Sequence, residues 1–262
     1  MISPLNGHPR AMTVLDGDRS DADAGVMRTA LGTAMSRAKE SLSRFPLFTD
    51  PYAQLLVDAA GPAGSDSTTE ESAEQQHYAA ARTKWFDEFF VAASSAGVSQ
   101  IVILAPGLDT RAWRLPWLDD TVIYEVDQPH MLEFKQQVIE KSGVTPSARR
   151  VPVALEEARE DWPKALTAVG FDYTEPTAWA SEGLVNDLDA QSMSHLLEKV
   201  ELYSARGSRI AVESQPHAPV DVSCWLCERH WEVTSTPAAE LITRYHRAPA
   251  TGDSVFVAGR KL

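Results

Sequence analysis

From Gly97 to the C-terminus, short apolar runs alternate along the chain with longer amphipathic stretches. Continuous apolar runs with β-branched residues are typical of strands buried on both faces of a sheet. Seven such runs predict strands at 101–104, 121–126, 150–155, 177–181, 208–213, 231–234 and 254–258. The alternation with helical periods predicts an α/β fold, in which a mainly parallel seven-stranded sheet carries helices on both faces.

From Leu31 to Gly97 the pattern is helical, with a loop predicted at residues 61–72. Apolar residues recur at helical spacing from Leu31 to Phe45, and Asp50 with Pro51 predicts a second helix that ends at Gly61. A third helix is predicted with one apolar face, formed by Tyr78, Ala81, Trp85, Phe89 and Ala92. Residues 1–25 are predicted to be a disordered tail. We expect one domain over 26–262, with a helical cap (26–97) on a sheet-containing core (98–262).

Composition and charge exclude several classes of protein. The 262 residues include 44% hydrophobic and 23% charged side chains, close to the averages of globular domains. The net charge of −13 disfavours binding to nucleic acid or to an anionic membrane. No apolar run approaches the ~18 residues that a membrane span needs, and no signal peptide is evident. The sequence therefore predicts a cytoplasmic protein with neither nucleic-acid nor membrane partners.

The two cysteines occur as Cys224-x-x-Cys227, with His230 three residues further on. This spacing could provide three metal ligands, but no fourth ligand is evident nearby. Thiols on an amphipathic helix more often pack in the core. We expect packing and no metal site, and the low cysteine content is typical of a reducing compartment.

The residues after the first two predicted strands carry the candidate chemistry. Gly107 follows the first strand, and Asp127 ends the second strand 20 residues later. In a doubly wound sheet, ligands bind at these strand ends, where an acid can accept hydrogen bonds from a ribose diol. Taken singly, the glycine could be an ordinary turn and the acid a helix cap. A loop with a single glycine cradles pyrophosphate poorly, which favours an adenosine cofactor without phosphate over a nicotinamide dinucleotide.

Three strings of residues resemble one known family: ARTKWFD at 81–87, VILAPGLDTRAWRLPW at 102–117 and YEVDQP at 124–129. They are similar to the S-adenosylmethionine-dependent methyltransferases related to leucine carboxyl methyltransferase, especially the mycobacterial and actinobacterial branch. The likeness extends from about Thr29 to the end of the chain. It implies a Rossmann-like class I methyltransferase fold and S-adenosyl-L-methionine as cofactor.

The resemblance also implies roles for individual residues. Arg82 matches an arginine that pairs with the methionine carboxylate, Gly107 a glycine under the cofactor, and Asp127 the acid that holds the ribose. Glu156 and Glu157 replace an Asp-Leu pair near the adenine, and Glu182 matches a glutamate near the methionine moiety. No catalytic residue is assigned. Asp187, His195 and His217 are only loose candidates for a base.

Two departures from the family concern the acceptor side. Asp187 occupies a position where the family has a tyrosine, and the connection from Ser214 to His230 is shorter than the family's helical insertion. The leading hypothesis is O-methylation of a small-molecule carboxylate or hydroxyl. The alternative is a cofactor-binding protein whose catalysis is weak or lost because this lid is shortened. The oligomeric state and the acceptor are not predicted.

Overall fold

The computed structural model describes residues 21–61, 72–155, 161–248 and 253–262. Its α-helices are α1 (Asp21–Ser41), α2 (Ala53–Ala60), α3 (Ala73–Ser95), α4 (Arg111–Arg114), α5 (Pro129–Lys141), α6 (Trp162–Ala168), α7 (Ala190–Leu202), α8 (Val222–Cys227) and α9 (Ala238–Arg244), and a 3-10 helix spans Leu184–Asp187. Its strands are β1 (Gln100–Leu104), β2 (Val122–Asp127), β3 (Arg149–Ala154), β4 (Thr177–Ser181), β5 (Arg209–Ser214), β6 (Trp231–Pro237) and β7 (Val255–Lys261).

The seven strands form one sheet in the order β3-β2-β1-β4-β5-β7-β6. The first five strands along the chain are parallel, whereas β7 runs antiparallel to both of its neighbours, β5 and β6. The α/β fold with a mainly parallel sheet is thus confirmed. The strand order reverses between β1 and β4, so the loops after these two strands diverge and leave a crevice at their carboxyl ends.

Alternate residues of the central strands enter two apolar cores. Ile101 and Ile103 of β1 point to the face covered by α3 and α5, where Phe86 and Met131 are fully buried. Val102 and Leu104 point to the other face, which α6 and α7 cover. Every residue of β1 and β4 is buried, as expected for central strands of a sheet that is covered on both sides.

The helices before β1 lie against the first of these cores. Leu31 of α1, Leu56 of α2 and Phe90 of α3 are at most 1% exposed. Helix α1 begins at Asp21, which places residues 21–25 in a helix and not in the predicted tail. Adding residues to an existing helix costs little compared with starting one, so a helix packed from Leu31 onward can extend towards the N-terminus. Residues 1–20 of the predicted tail lie outside the described part.

Two predictions for the cap helices differ from the structure. Asp50 does not cap a helix that starts at Pro51, because α2 begins at Ala53, although Oδ1 of Asp50 accepts hydrogen bonds from the backbone of Tyr52 and Ala53. In α3, the predicted apolar face is wrong at Ala92, which is exposed. Helix α3 lies between the sheet and the other cap helices, so it is buried around most of its circumference.

Two further expectations concern the burial of the cysteines and the presence of a membrane-spanning helix. Cys224 and Cys227 are both exposed, so the expectation that they pack in the core is wrong. Val222 and Leu226 are the buried residues of α8, since they are four positions apart on one face. Among the described residues, no helix is both long and apolar enough to cross a membrane.

Candidate functional site at the carboxyl edge of the sheet

Gly107 and Asp127 meet at the carboxyl ends of β1 and β2. Oδ2 of Asp127 accepts a hydrogen bond from the backbone N–H of Gly107 at 2.7 Å, and Oδ1 accepts one from the N–H of Gln128 at 2.8 Å. Because β1 and β2 are adjacent and in parallel register, their ends come together although 20 residues separate the two positions. The carboxylate therefore closes the loop that follows β1.

The carboxylate of Asp127 retains hydrogen-bonding capacity. Each oxygen accepts one backbone N–H, and an ionised carboxylate offers about four lone-pair sites in all. Burial raises the pKa of Asp127, and the two backbone hydrogen bonds partly oppose that shift. The side chain is only partly buried, so its free lone pairs can accept hydrogen bonds from hydroxyl groups of a ligand.

The loop glycine also touches the cap. Gly107 has a φ of 51°, a conformation that residues with a side chain rarely adopt. A Cβ atom at this position would come within 3.3 Å of the Cβ of Ala30, which belongs to α1. Helix α1 therefore lies directly over the loop after β1. The cap helices thus form one wall of the candidate site.

Arg82 of α3 lies between two carboxylates at the ends of β4 and β5. Its Nε is 3.0 Å from Oε1 of Glu182, and its Nη1 donates to Oε2 of Glu213 at 3.3 Å. Burial by itself would lower the pKa of Arg82, but Glu213 and Glu182 raise it above its ordinary value. The Nε atom is buried, and its ion pair with Glu182 lacks the geometry of a hydrogen bond. Arg82 also lines a cavity between α1 and α3, so an anionic group in that space could reach its guanidinium.

Glu213 and Tyr78 belong to this site, and the sequence analysis did not identify them. The hydroxyl of Tyr78 donates a short hydrogen bond to Oε1 of Glu213 and lies 2.8 Å from Oγ of Ser254. Glu213 is 2% exposed. The sequence could have identified Glu213 as a site residue, because an acid that ends an apolar strand lies at the edge of the sheet where ligands bind. Tyr78 gave no such signal, because it had been counted as part of an apolar helix face.

The carboxylate of Glu182 is also bound by a buried arginine, Arg111. Nη1 of Arg111 donates to Oε2 of Glu182 at 2.9 Å and to Asp109, and Nε donates to Asp87 at 2.7 Å. Arg111 is 2% exposed, and its guanidinium lies over the ring of Phe86. Two arginines on different elements therefore fix the orientation of one carboxylate. The sequence showed Arg111 only as part of a motif and gave no indication of its partners.

A cavity of about 250 Å³ opens next to Arg82 between α1 and α3. Its walls are formed by small or polar side chains, namely Thr29, Gly32, Thr33, Ser36, Gln75, Tyr78, Ala79 and Arg82. At the end of β4, Oγ of Ser181 is buried and has no hydrogen-bond partner among the described residues.

The other candidate residues lie elsewhere in the fold or outside the described part of the chain. Glu156 and Glu157 lie outside the described residues, so their predicted place near the adenine is not tested. Asp187 ends the 3-10 helix that follows β4. His195 and His217, the loose candidates for a base, are both exposed and are not among the residues that line the cavity.

Comparison with known sequences gives consistent matches. A profile of the leucine carboxyl methyltransferase family matches residues 30–201. A putative S-adenosyl-L-methionine-dependent methyltransferase of Mycolicibacterium gilvum is 57% identical over 252 residues, which cover 96% of this chain and all of the relative. A protein of the same description from Mycobacterium sp. (strain MCS) is 42% identical, with 87% of this chain and 97% of the relative covered.

Comparison with solved structures identifies the same fold. A DUF574 family protein from Streptomyces avermitilis aligns with a TM-score of 0.56 at 14% identity and covers 90% of this chain and 100% of that protein. Magnesium protoporphyrin IX methyltransferase from Synechocystis, solved with bound S-adenosylmethionine, aligns with a TM-score of 0.52 at 10% identity, covering 94% of this chain and 100% of that protein. At these identities the likeness concerns the fold alone.

Proposed function

The chain belongs to the leucine carboxyl methyltransferase family and is an S-adenosylmethionine-dependent methyltransferase, and from this premise we propose that it methylates an oxygen atom, in a carboxylate or hydroxyl group, of a small molecule. The observation that carries the proposal is the set of polar groups at the carboxyl edge. Asp127 lies there against the loop after β1, which α1 covers, and Arg82 lies between Glu182 and Glu213.

The charges of this site suit the cofactor. Among the described residues, the connected network of ion pairs holds five carboxylates (Asp50, Asp87, Asp109, Glu182 and Glu213) and four guanidinium groups (Arg37, Arg82, Arg111 and Arg114), so it is net negative. S-adenosylmethionine carries a sulfonium, an ammonium and a carboxylate group, which make it net positive at neutral pH. Complementary charge of this kind favours binding and speeds encounter.

Individual residues can hold each part of the cofactor. Asp127 has free lone pairs for the two ribose hydroxyls, and Gly107 lets the backbone approach the ligand closely. Arg82 lines the cavity with its guanidinium, which fits the methionine carboxylate, and Glu182, which pairs with Arg82, fits the ammonium group beside it. The cavity of about 250 Å³ between α1 and α3 is smaller than the ~300 Å³ at the lower end of ordinary ligand pockets, so we assign it to the acceptor and place the cofactor along the ends of β1, β2 and β4.

The reaction places modest demands on the protein. S-adenosylmethionine supplies a methyl group that the positive charge on sulfur already activates. The chain has to align an acceptor oxygen about 3–3.5 Å from the reacting carbon and to keep water away. Helices α1 and α3, which cover the carboxyl edge, are suited to exclude water. The size of the cavity next to Tyr78 supports a small acceptor.

A methyl-transfer assay tests the proposal. The protein is incubated with S-adenosylmethionine that carries a deuterated methyl group and with a panel of small hydroxyl and carboxyl compounds, and the products are identified by mass spectrometry. We expect a labelled methyl ether or methyl ester. Methylation only at nitrogen, or none on any compound while the cofactor binds, would contradict the proposal.

One feature supports a second candidate, a cofactor-binding protein with weak or lost catalysis. The connection between β5 and β6 holds only the short helix α8, whose packing is against β6 and β7. Tight cofactor binding without methyl transfer would favour this candidate.

A further inference from the structure

The α1 wall of the cavity between α1 and α3 offers hydrogen-bond acceptors to a ligand. The hydroxyl of Thr29 donates to the carbonyl of Gly25 at 3.2 Å, and that of Thr33 donates to the carbonyl of Thr29 at 3.1 Å. Their protons are therefore committed to the backbone of α1, while their oxygens can still accept. A ligand group that donates a hydrogen bond fits this wall better than a carboxylate, which can only accept.

The cations around the cavity are also committed. The guanidinium of Arg111 is fully engaged by Asp87, Asp109, Glu182 and the carbonyl of Thr83. Arg82 lies between two carboxylates and is the residue proposed to hold the methionine carboxylate. Among the described residues that line the cavity, Arg82 is the only lysine, arginine or histidine, and Glu182 and Glu213 already pair with it. An acceptor carboxylate would therefore meet no unpaired cation among these lining residues.

Tyr78 and Glu213 form a path for a proton at the wall of the same cavity. Tyr78 lines the cavity, and its hydroxyl donates to Oε1 of Glu213. Burial and the neighbouring Glu213 raise the pKa of Tyr78 above its ordinary value. The phenol is therefore protonated at neutral pH and can accept one proton only while it passes on another.

On the basis of the O-methyltransferase function proposed above, we propose that the acceptor is an uncharged hydroxyl compound bound in this cavity, and that Tyr78 and Glu213 take up its proton. The acceptor hydroxyl donates its proton to Oη of Tyr78, while the phenolic proton passes to Oε1 of Glu213. The acceptor oxygen forms a bond to the methyl carbon, whose bond to sulfur breaks with both electrons left on sulfur. The products are a methyl ether, S-adenosylhomocysteine and a protonated Glu213.

Two matched pairs of compounds test the preference for a hydroxyl group: phenol with benzoate, and hexanol with hexanoate. Methyl transfer is followed by mass spectrometry. Binding of each compound to protein saturated with S-adenosylhomocysteine is measured separately by saturation-transfer NMR. We expect the hydroxyl member of at least one pair to bind and to be methylated at least 10-fold faster than its carboxylate partner.

Variants separate the roles of the residues. Tyr78→Phe removes only the hydroxyl group, so its affinity for S-adenosylhomocysteine by calorimetry should stay within twofold of wild type. Methyl transfer by this variant should fall about 100-fold, the lower end of the range for general acid–base catalysis, and Glu213→Gln should lose methyl transfer likewise.

Thr33→Lys places a cation in the cavity wall and should bring about binding of benzoate or hexanoate. Leu202→Lys adds the same charge at an exposed position on α7 and should not.

The outcomes are distinguishable. Faster methylation of the carboxylates would overturn this inference and leave the proposed O-methyltransferase function intact. Absence of both binding and transfer for all four compounds, with cofactor binding preserved, would contradict both. A tenfold loss of affinity for S-adenosylhomocysteine in Tyr78→Phe would assign this residue to the cofactor and overturn its role in proton transfer.

Discussion

Asp127 combines burial with hydrogen bonds to the loop after β1, and its free lone pairs make it the proposed ribose ligand. We expect Asp127→Ala to lower the affinity for S-adenosylhomocysteine at least 10-fold, because hydrogen bonds to a charged group contribute roughly 1.5–3 kcal/mol each. Calorimetry measures the change. Asp120→Ala, at an exposed position just before β2, is the matched control. Unchanged affinity in folded Asp127→Ala would remove this residue from the site.

The affinity should also depend on pH through Asp127. Burial raises the pKa of its carboxyl group, so the protonated form appears at a higher pH than for an ordinary aspartate. A protonated carboxyl accepts hydrogen bonds less well, and the affinity of wild-type protein for S-adenosylhomocysteine should therefore fall as the pH is lowered from 7 to 5. The same titration in Asp127→Ala should be flatter.

Arg82 is proposed to recognise a carboxylate with a planar, two-point contact. Lysine provides only a point charge, so Arg82→Lys is not a conservative change. We expect at least a 10-fold loss of affinity for S-adenosylhomocysteine and less than a twofold loss for adenosine, which lacks the methionine carboxylate. Competition calorimetry compares the two ligands. Equal losses for both would mean that Arg82 supports the site as a whole and does not contact the carboxylate.

At the scale of elements, α3 and α4 are joined by buried ion pairs. Arg111 and Arg114 of α4 both bind Asp87 of α3, at 2.7 and 2.6 Å. Arg111→Leu would leave Asp87, Asp109 and Glu182 without this partner, and removal of one member of a buried ion pair costs about 3–5 kcal/mol. Urea unfolding should show a loss of stability of that size.

An exposed ion pair provides the control for this variant. Arg260 of β7 contacts Glu232 of β6 at 2.8 Å, and both side chains are more than half exposed. Exposed pairs contribute at most about 1 kcal/mol, so Arg260→Leu should change the free energy of unfolding little. A loss for Arg111→Leu as small as that for Arg260→Leu would show that α3 and α4 are held together by apolar packing alone.

At the scale of the whole molecule, the buried carboxylates make the free energy of unfolding depend on pH. Burial alone would raise the pKa of Asp109, but Arg111 and other cations outweigh burial and lower it to about 2 from 3.8. A lowered carboxyl pKa stabilises the folded state above pH 3.8, and the stabilisation disappears as the pH falls towards 2. Its size is about 2 kcal/mol. The pKa of Asp50 is lowered in the same sense by Arg37 and Arg114, against the opposing effect of burial.

Chemical unfolding at a series of pH values tests this expectation. At pH 6, Asp109→Asn should be less stable than the wild-type protein. The difference should shrink between pH 4 and pH 2, because the wild-type carboxylate becomes protonated over this range. A difference that stays constant down to pH 2 would mean that Asp109 contributes through packing or hydrogen bonds and not through its charge.

Local pattern in the sequence was sufficient for the α/β class, for the seven strands and for the position of Gly107 and Asp127 at the carboxyl edge. An apolar run with β-branched residues predicts a buried strand from local sequence alone. Neighbouring parallel strands bring their carboxyl ends to the same edge of the sheet. Only the tertiary structure decided which charged groups meet. Glu213 reaches Tyr78 across 135 positions of the chain, and Arg111 reaches Glu182 across 71. Periodicity describes which face of an element is buried, whereas ion pairs depend on how separate elements pack, and no local pattern contains that information.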